Sequence, residues 1–271
     1  MHAGTWFDEA GYLEGPRFHR GQLYCASTLA QSVLRFDASG ARSLVCEIRG
    51  VPCGLGFLPD GDLIILEMLA RKLWRWSAAG LTLYADLTTC AAGTIDDMFI
   101  DAEGRAYVGD LGFDLFNSPV PPAPVGRLLL VPAGGKPRVV AEGLGFPNGI
   151  CMTSARDRLA VAESNADSIA WFDVSHTGEL SLRARRAGFA EPDGICFAGD
   201  RLWVAQFRGD SFVCVDEAGT RHASIETPGR RAVACWASAD QRTLFCISAD
   251  TTHDDLMHGR SRSRLETKPI A

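Results

Sequence analysis

A short phrase that recurs six times constrains the fold of this chain more than any other feature. FPNGICM begins at Phe146 and EPDGICF begins at Glu191, and the polar residue changes from Asn148 in the first to Asp193 in the second. Sliding the phrase along the chain finds six copies, spaced 39 to 52 residues apart. They are LEGPRF (Leu13–Phe18), PCGLGF (Pro52–Phe57), IDDMFI (Ile95–Ile100), PNGICM (Pro147–Met152), PDGICF (Pro192–Phe197) and RAVACW (Arg231–Trp236). An internal period of this length indicates a repeat architecture.

Each copy is followed by the same succession of turns and strands. A turn rich in Gly and Asp comes next, then a run of β-branched, aliphatic and aromatic residues such as LIILEM (Leu63–Met68), and further runs and turns complete the unit. Gly and Asp supply the turn geometry of hairpins, and no long stretch carries a helical apolar period. Four short strands per unit predict an all-β, six-bladed β-propeller, with four-stranded antiparallel blades around a central channel.

The two ends of the chain predict how the ring closes. The last unit runs into a polar stretch, ADTTHDDLMHGRSRSR (Ala249–Arg264), which we predict to be a loop before LETKPIA. The segment GTWFDEA (Gly4–Ala10) has no blade of its own, so we expect it to supply the outer strand of the last blade. Closure of this kind leaves only short, protected strand edges. The prediction is a single propeller domain over residues 1–271.

Composition argues against several other classes of protein. The net charge of −6 gives no basic face for nucleic acid or an anionic membrane. No apolar run approaches the roughly 20 residues of a membrane-spanning helix, and the first residues lack the features of a signal peptide. The nine cysteines include no C-x-x-C pair, so we expect buried, reduced thiols and a cytoplasmic location. The six histidines show no H-x-x-x-H spacing, which disfavours a histidine-rich zinc site.

The residue that varies in the phrase predicts a polar ring in the channel, because matching positions of all blades lie around one axis. Carboxylates held so close raise one another's pKa values unless a cation lies between them. Their oxygens suit Ca²⁺, Mg²⁺ or Mn²⁺, or Zn²⁺ in a mixed-oxygen site, so we expect one divalent metal ion with an incomplete protein shell. Asp and Asn before Gly are also favoured simply as turn residues, but Glu is a poor turn former. The matching positions are Glu14, Cys53, Asp96, Asn148, Asp193 and Ala232, with Asp97 beside the third.

These residues resemble motifs of the regucalcin/gluconolactonase family, which includes senescence marker protein and luciferin-regenerating enzyme relatives. EGPRF at Glu14 is similar to the family's opening motif, and DDMFIDAEGRAYVGD (Asp96–Asp110) to its third-blade segment. PNGI and EPDGICF are similar to its asparagine and aspartate blades, and the resemblance runs over roughly residues 10 to 215. It implies a six-bladed propeller, one catalytic divalent metal ion in the channel, and hydrolysis of a lactone, which is a cyclic ester.

The resemblance also implies roles for individual residues. The metal ligands would be Glu14, Asn148 and Asp193, and Asp97 matches a channel aspartate near the substrate. In the expected mechanism, the ion polarises the lactone carbonyl and activates water, and a carboxylate takes the proton of that water. We predict Asp193 as both ligand and general base, with Asp97 as the competing base.

Two positions depart from the family's sugar-lactone members. Asp96 stands where many members have a substrate-binding asparagine, and the Asp96–Asp97 pair instead resembles that of drug-responsive bacterial lactonases. Asp96 could orient substrate hydroxyls or help to hold the ion. Thr94 stands where sugar-lactone members usually carry an arginine, which argues against a sugar-acid lactone as substrate.

Other candidate substrate-binding residues lie at the predicted mouth. The segment LGFDLFNSPVPPAPVG (Leu111–Gly126) contains a proline run that cannot be sheet interior, so it forms either a lid whose Phe113 and Phe116 contact substrate or a rigid surface loop. Phe146 would line the pocket or pack between blades. Arg208 would meet a substrate carboxylate or be solvated, and His253, Asp254 and Asp255 are expected at the solvated surface.

Three rival functions remain from sequence alone. They are a non-catalytic calcium-binding propeller, an interaction scaffold, and hydrolysis of a simple ester or phosphoester by the same ion. The predicted open metal shell favours an enzyme. We expect a small-molecule lactone as partner, no nucleic acid or membrane partner, and a monomer or weak homodimer.

Overall fold

The computed structural model describes residues 4–270, which form six four-stranded antiparallel sheets and confirm the predicted β-propeller. The innermost strands are β2 (Leu13–His19), β6 (Pro52–Phe57), β10 (Ile95–Ile100), β14 (Pro147–Met152), β18 (Pro192–Ala198) and β22 (Arg231–Ala237). The second strands are β3 (Gln22–Ser27), β7 (Leu63–Glu67), β11 (Ala106–Asp110), β15 (Arg158–Glu163), β19 (Arg201–Gln206) and β23 (Thr243–Asp250). The third strands are β4 (Ser32–Phe36), β8 (Lys72–Ser77), β12 (Gly126–Val131), β16 (Ser168–Val174), β20 (Ser211–Val215) and β24 (Arg262–Pro269). The outermost strands are β5 (Arg42–Glu47), β9 (Gly80–Asp86), β13 (Arg138–Leu144), β17 (Leu180–Ala187), β21 (Arg221–Glu226) and β1 (Gly4–Ala10).

The innermost strands contact one another in a closed ring, from β2 through β6, β10, β14 and β18 to β22 and back to β2. The strand order of the sixth blade is β22-β23-β24-β1, so the amino-terminal strand completes the last blade as predicted. Asp8 of β1 accepts hydrogen bonds from Arg262 Nε (2.7 Å) and Arg264 Nη2 (2.7 Å) of β24. These ion pairs and the strand pairing hold the ring closed.

The hydrophobic core lies between neighbouring blades. The second strands are its centre, since every residue of β7 and of β11 is buried, whereas β9 and β21 at the periphery contain no buried residue. The apolar runs that follow each phrase therefore become the buried middle of each blade, and the less apolar fourth runs become its solvent-facing edge.

The predicted loop at Ala249–Arg264 is only partly a loop. Strand β23 continues to Asp250, β24 begins at Arg262, and a short helix α1 (His253–Met257) lies between them. The hydroxyl of Thr252 accepts a hydrogen bond from Asp255 N (3.1 Å) and so caps the helix. Thr followed three residues later by Asp is a helix-start signal, and it outweighs the polar composition of the segment.

All nine cysteines are free thiols, and all but Cys90 are buried, as predicted. None of the helices within residues 4–270 is long and apolar enough to cross a membrane.

Candidate active site

A bulge in each innermost strand fixes the position of the variable residue. In blade 4 the register shifts between Pro147 and Ile150, so Asn148 lies in the bulge, and Asp193 lies at the matching place in blade 5. The same pair of strands shifts register near the phrase in every blade. Bulges re-aim side chains and are frequent beside active sites. Here they set the phrase residues at one level of the channel.

Four carboxyl groups of the predicted ring act on one another electrostatically. Burial first, and then the charges of Asp96 and Asp97, raise the pKa of Glu14 well above its usual range. Burial and the charges of Glu14 and Asp96 do the same to the pKa of Asp193. Burial and the charge of Asp97 raise the pKa of Asp96 to about 7. The structure therefore brings together Glu14, Asp96, Asp97 and Asp193, and their negative charges oppose one another.

The side-chain oxygens of the three predicted ligands accept few or no hydrogen bonds, and we call such oxygens open. Within residues 4–270, neither the Asp193 carboxylate nor the Asn148 carboxamide has a hydrogen-bond partner, although Asp193 is only 6% exposed. Glu14 Oε2 accepts a long bond from Gly15 N (3.3 Å), and the Tyr12 hydroxyl also bonds to Glu14. Buried polar groups are normally hydrogen-bonded, so open oxygens at one level of a channel indicate a binding site.

Tyr12 was missed from sequence because it precedes the first phrase and has no counterpart in the other copies. It is buried, and burial together with the charge of Glu14 raises the pKa of its hydroxyl well above the usual range. The phenol therefore keeps its proton and can act as a hydrogen-bond donor to Glu14.

Asp97 differs from the other ring carboxylates because its hydrogen-bonding capacity is used. Asp97 Oδ1 accepts bonds from Met98 N (2.7 Å) and Arg17 Nη2 (3.1 Å), and the backbone N–H of Ile150 also donates to the carboxylate. Burial still raises the pKa of Asp97, while the charge of Arg17 opposes the increase. Within residues 4–270, the structure thus separates one carboxylate that has a cationic partner, Asp97, from three that have none.

Arg17 is a second residue that the sequence analysis missed. Its side chain is buried, donates to the carbonyl oxygens of Pro16 and Met98, and lies 4.5 Å from the ring centroid of Trp236. It therefore joins blades 1, 3 and 6. The signal was the one positive charge in the phrase LEGPRF, at a position where the other copies have Gly, Phe or Cys.

Four buried polar residues at the ends of second strands hold the segments that lead into the phrases, and we call them the anchor residues. Each accepts a hydrogen bond from a backbone N–H shortly before a phrase. The repeated signal in sequence was an acidic or amide residue that ends four of the six apolar runs, as in LIILE and LWVAQ. The anchor residues are Glu67, Asp110, Glu163 and Gln206.

Two non-glycine residues adopt left-handed backbone conformations two positions before a predicted ligand. Phe146 has φ of 66° and Glu191 has φ of 56°, and a proline follows each. The Phe146 carbonyl accepts from Ser164 N (3.1 Å), and Glu191 N donates to Asp167 Oδ1 (2.9 Å). Such conformations cost about 1–3 kcal/mol each and cluster at functional sites.

The segment between β11 and β12 is a fixed part of the channel mouth. Thr94, which is buried, donates its N–H to Phe113 O (2.9 Å), and its hydroxyl accepts from Leu115 N (3.0 Å). The ring of Phe113 lies 6.2 Å from that of Phe146, edge to face, while Phe116 is 38% exposed. The structure therefore places Thr94 as a support of this segment and brings Phe113 and Phe146 together.

Charged residues of blades 4 to 6 pair with one another at the mouth. Arg208 Nη2 donates to both oxygens of Asp167 (2.8 and 2.6 Å), so this exposed guanidinium already has a carboxylate partner. His253 Nε2 lies 2.6 Å from Glu191 Oε1, and its ring stacks on Phe207 at 4.9 Å. The predicted surface position of His253 is confirmed, since its side chain is 71% exposed, and its hydrogen bond to Glu191 raises its pKa.

The ring residues fit a divalent cation by the chemistry of their donors, although no set of three His, Cys, Asp or Glu side chains within residues 4–270 forms a metal-binding cluster. The predicted set contains only two carboxylates, and its third member is the Asn148 carboxamide. Its oxygens accept few or no hydrogen bonds, and the nearby cation Arg17 is bonded to Asp97. Hard oxygen donors of this kind suit Ca²⁺ or Mg²⁺.

Comparison with known proteins gives the following similarities. Residues 13–250 match the family model described as the SMP-30/Gluconolactonase/LRE-like region. The chain is 26% identical over 251 residues to pentonolactonase XacC of Haloferax volcanii. The aligned region covers 87% of this chain and 81% of XacC.

Solved structures share the fold. The gluconolactonase XC5397 of Xanthomonas campestris superposes with a TM-score of 0.77 at 21% sequence identity. The superposition covers 97% of this chain and 89% of the XC5397 chain. The calcium-binding protein regucalcin of Agrobacterium tumefaciens superposes with a TM-score of 0.76 at 18% identity, over 97% of this chain and 92% of its own.

Proposed function

The chain belongs to the SMP-30/Gluconolactonase/LRE-like family, and from this premise we propose that it is a divalent-metal-dependent lactonase. The observation that carries the proposal is the set of open ligand oxygens of Asn148 and Asp193, beside Glu14, in a ring whose acidic pKa values are raised. The lactonase names of XacC and XC5397 support the reaction class.

We propose that Glu14, Asn148 and Asp193 hold one Ca²⁺, Mg²⁺, Mn²⁺ or Zn²⁺ ion. When bound, such an ion polarises a carbonyl oxygen and lowers the pKa of an adjacent water molecule. Tyr12 orients Glu14 from the side of the first blade. Arg17, clamped between three blades, closes the space beside Asp97 and keeps that carboxylate from competing as a further ligand.

Asp193 is the proposed proton acceptor, because its carboxylate accepts no hydrogen bond within the described chain. It takes a proton from water as the water oxygen attacks the acyl carbon of the lactone. The bond between the acyl carbon and the ring oxygen then breaks, the ring oxygen receives the proton, and an open hydroxy acid results. Asp97 is the weaker candidate for this role since Arg17, Met98 and Ile150 already donate to it. Asp96, which lies close enough to Glu14 and Asp193 for their charges to interact, is suited to assist the proton transfer or to orient the substrate.

The test is a set of initial rates on sugar, aliphatic and aromatic lactones, followed by acid release. The protein is treated with EDTA and then reloaded with Ca²⁺, Mg²⁺, Mn²⁺ or Zn²⁺. We expect EDTA to abolish ring opening and at least one ion to restore it. If no loaded form opens any lactone, the proposed function is wrong; if EDTA leaves the rate unchanged, the metal dependence is wrong.

A non-catalytic calcium-binding propeller is the second candidate, and the structural likeness to a calcium-binding regucalcin favours it. Calorimetric titration with Ca²⁺ in the same experiment separates the two. Tight Ca²⁺ binding without turnover on any lactone would support this candidate, whereas ion-dependent turnover would support the lactonase.

A further inference from the structure

The channel mouth carries most of the exposed large apolar side chains that residues 4–270 contain. The innermost strands run away from the acidic ring and the second strands return to it, so the connections between second and third strands lie at the mouth. Six of the nine exposed residues lie in these connections: Leu29, Leu69, Phe116, Val120, Val125 and Met257. The other three are Leu44, Leu83 and Leu182, on outermost strands.

The mouth has an apolar side and a polar side. In blades 1 to 3 the connections expose Leu29, Leu69 and Phe116, beside the half-buried Arg71 of blade 2. In blades 4 and 5 the same connections carry Asp167 and Arg208, which pair with each other. The exposed apolar residues are therefore not spread evenly around the ring.

The connection in blade 3, residues 111–125, offers few polar groups to a ligand. Its one charged residue is Asp114. Asp114 Oδ1 accepts from Phe116 N (3.0 Å) and Asn117 N (3.1 Å), so the carboxylate is used within the segment. Asn117 and Ser118 are its other exposed polar side chains, so a polyhydroxylated ring resting here would gain few partners for the hydroxyls that lose hydration.

Beneath this connection, buried apolar side chains continue toward the acidic ring. Leu115 packs against the cluster of buried residues that includes Met68 and Cys53, and Cys53 is itself a ring position. Phe113 continues the surface to Phe146 on blade 4. Backbone bonds to Thr94 fix this wall in place, so it is preformed.

We propose that the lactone opened by this protein carries an apolar substituent, an alkyl chain or an aryl group, that leaves the channel over blades 2 and 3 and lies against Phe113, Phe116 and Leu69. The inference rests on the proposed lactonase function and specifies its substrate class. The substituent covers the exposed side chains of Phe116 and Leu69 and reaches the edge of the buried Phe113, and each buried methylene strengthens binding.

The experiment compares γ-lactones that differ only in the length of their alkyl chain, from γ-butyrolactone to γ-decalactone, with sugar γ-lactones. We expect kcat/KM to rise by about twofold to fourfold per added methylene, and to be lower for sugar lactones than for γ-decalactone. Phe116→Ser and Leu69→Ser should each flatten this dependence, lowering kcat/KM for γ-decalactone about fivefold and for γ-butyrolactone less than twofold. Leu182→Ser is the matched control, since it removes an exposed leucine from the outermost strand of blade 4.

The outcomes separate this inference from the proposed function. Preference for sugar lactones, or an unchanged chain-length dependence in both mouth variants, overturns the inference and leaves the lactonase intact. An equal effect of Leu182→Ser also overturns it. Absence of turnover on every lactone overturns the proposed function itself. Circular dichroism on each variant confirms that the comparison is between folded proteins.

Discussion

Two sets of buried acidic groups in this molecule differ in how their oxygens are used. The anchor residue Asp110 accepts bonds from Ala92 N (2.9 Å), Gly93 N (3.0 Å) and Gly112 N (3.0 Å), and it pairs with Arg127. The ring residue Asp193 accepts none within residues 4–270. Both are nearly inaccessible to solvent. Satisfied hydrogen bonds make a buried carboxylate a structural element, and open oxygens leave it free to bind and react.

The comparison extends to the two halves of the Asp96–Asp97 pair. Burial raises the pKa of both residues, but Arg17 and backbone donors oppose the increase at Asp97, whereas the charge of Asp97 adds to it at Asp96 and raises that pKa to about 7. Adjacent residues of one strand thus fall into different classes. The position of a carboxylate in the repeat does not by itself determine whether it can bind or react. The hydrogen-bond donors around each of its oxygens determine this.

The largest expected effect comes from removing the open carboxylate. Asp193→Asn should lower kcat/KM for the preferred lactone by about 10³-fold, because a proposed metal ligand and proton acceptor is lost. The free energy of unfolding of the metal-free protein should stay equal or increase, since an unpaired buried charge is removed. Steady-state kinetics and urea denaturation measure the two quantities.

Asp97→Asn is the matched change at the paired carboxylate. We expect a smaller loss of kcat/KM there and a lower free energy of unfolding, because Arg17 loses its anionic partner. A loss of activity as large as in Asp193→Asn would make Asp97 the better candidate for the base.

Much of this arrangement could be predicted from the sequence. The six phrases fixed the blade count, and the amino-terminal strand was assigned correctly to the last blade, because a repeat reports on topology directly. The same alignment predicted the ring of Glu14, Asp96, Asn148 and Asp193, and in the structure the charges of Glu14, Asp96 and Asp193 act on one another. What could not be predicted was which carboxylate would be paired, since Arg17 reaches Asp97 across 80 positions of sequence.

The anchor residues show a different limit of sequence reasoning. They stand at the ends of apolar runs, where a polar residue is easily interpreted as the end of a strand. Their function depends on backbone N–H groups of the preceding inter-blade connection, such as Gly145 N, which bonds to Glu163 Oε1 (3.1 Å). The partners of a backbone donor are set by tertiary structure and leave no side-chain signal.

The second largest expected effect concerns the anchor residues, whose oxygens already accept hydrogen bonds. Asp110→Ala should lower the free energy of unfolding by about 3 kcal/mol, because Arg127 loses its partner and three backbone N–H groups lose their acceptor. Urea denaturation measures the loss. Asp110→Asn is the control: it keeps the shape and one acceptor oxygen, so it should cost less than the alanine variant. A change below about 1 kcal/mol in Asp110→Ala would contradict the structural role of the anchor.

The smallest expected effect concerns the pH dependence of the metal-free protein. The pKa of Asp96 is raised from 3.8 to about 7, so the folded state binds this proton more tightly than the unfolded state does. Stability from the group is therefore present at low pH and is lost as pH rises from about 4 to about 7. We expect a loss of about 2 kcal/mol, less than the full shift implies because the side chain is partly exposed to the channel.

Urea denaturation of the EDTA-treated protein at several pH values measures this loss, and Asp96→Asn isolates it, because the amide does not titrate. The free energy of unfolding of the variant should fall less steeply between pH 4 and pH 7 than that of the parent protein. Adding the activating divalent ion should raise the stability of the parent more at pH 7 than at pH 5, since the ion binds the ionised ring. Parallel pH profiles for parent and variant would show that the charge of Asp96 is already balanced in the folded protein. Asp96 would then no longer count among the carboxylates with open oxygens.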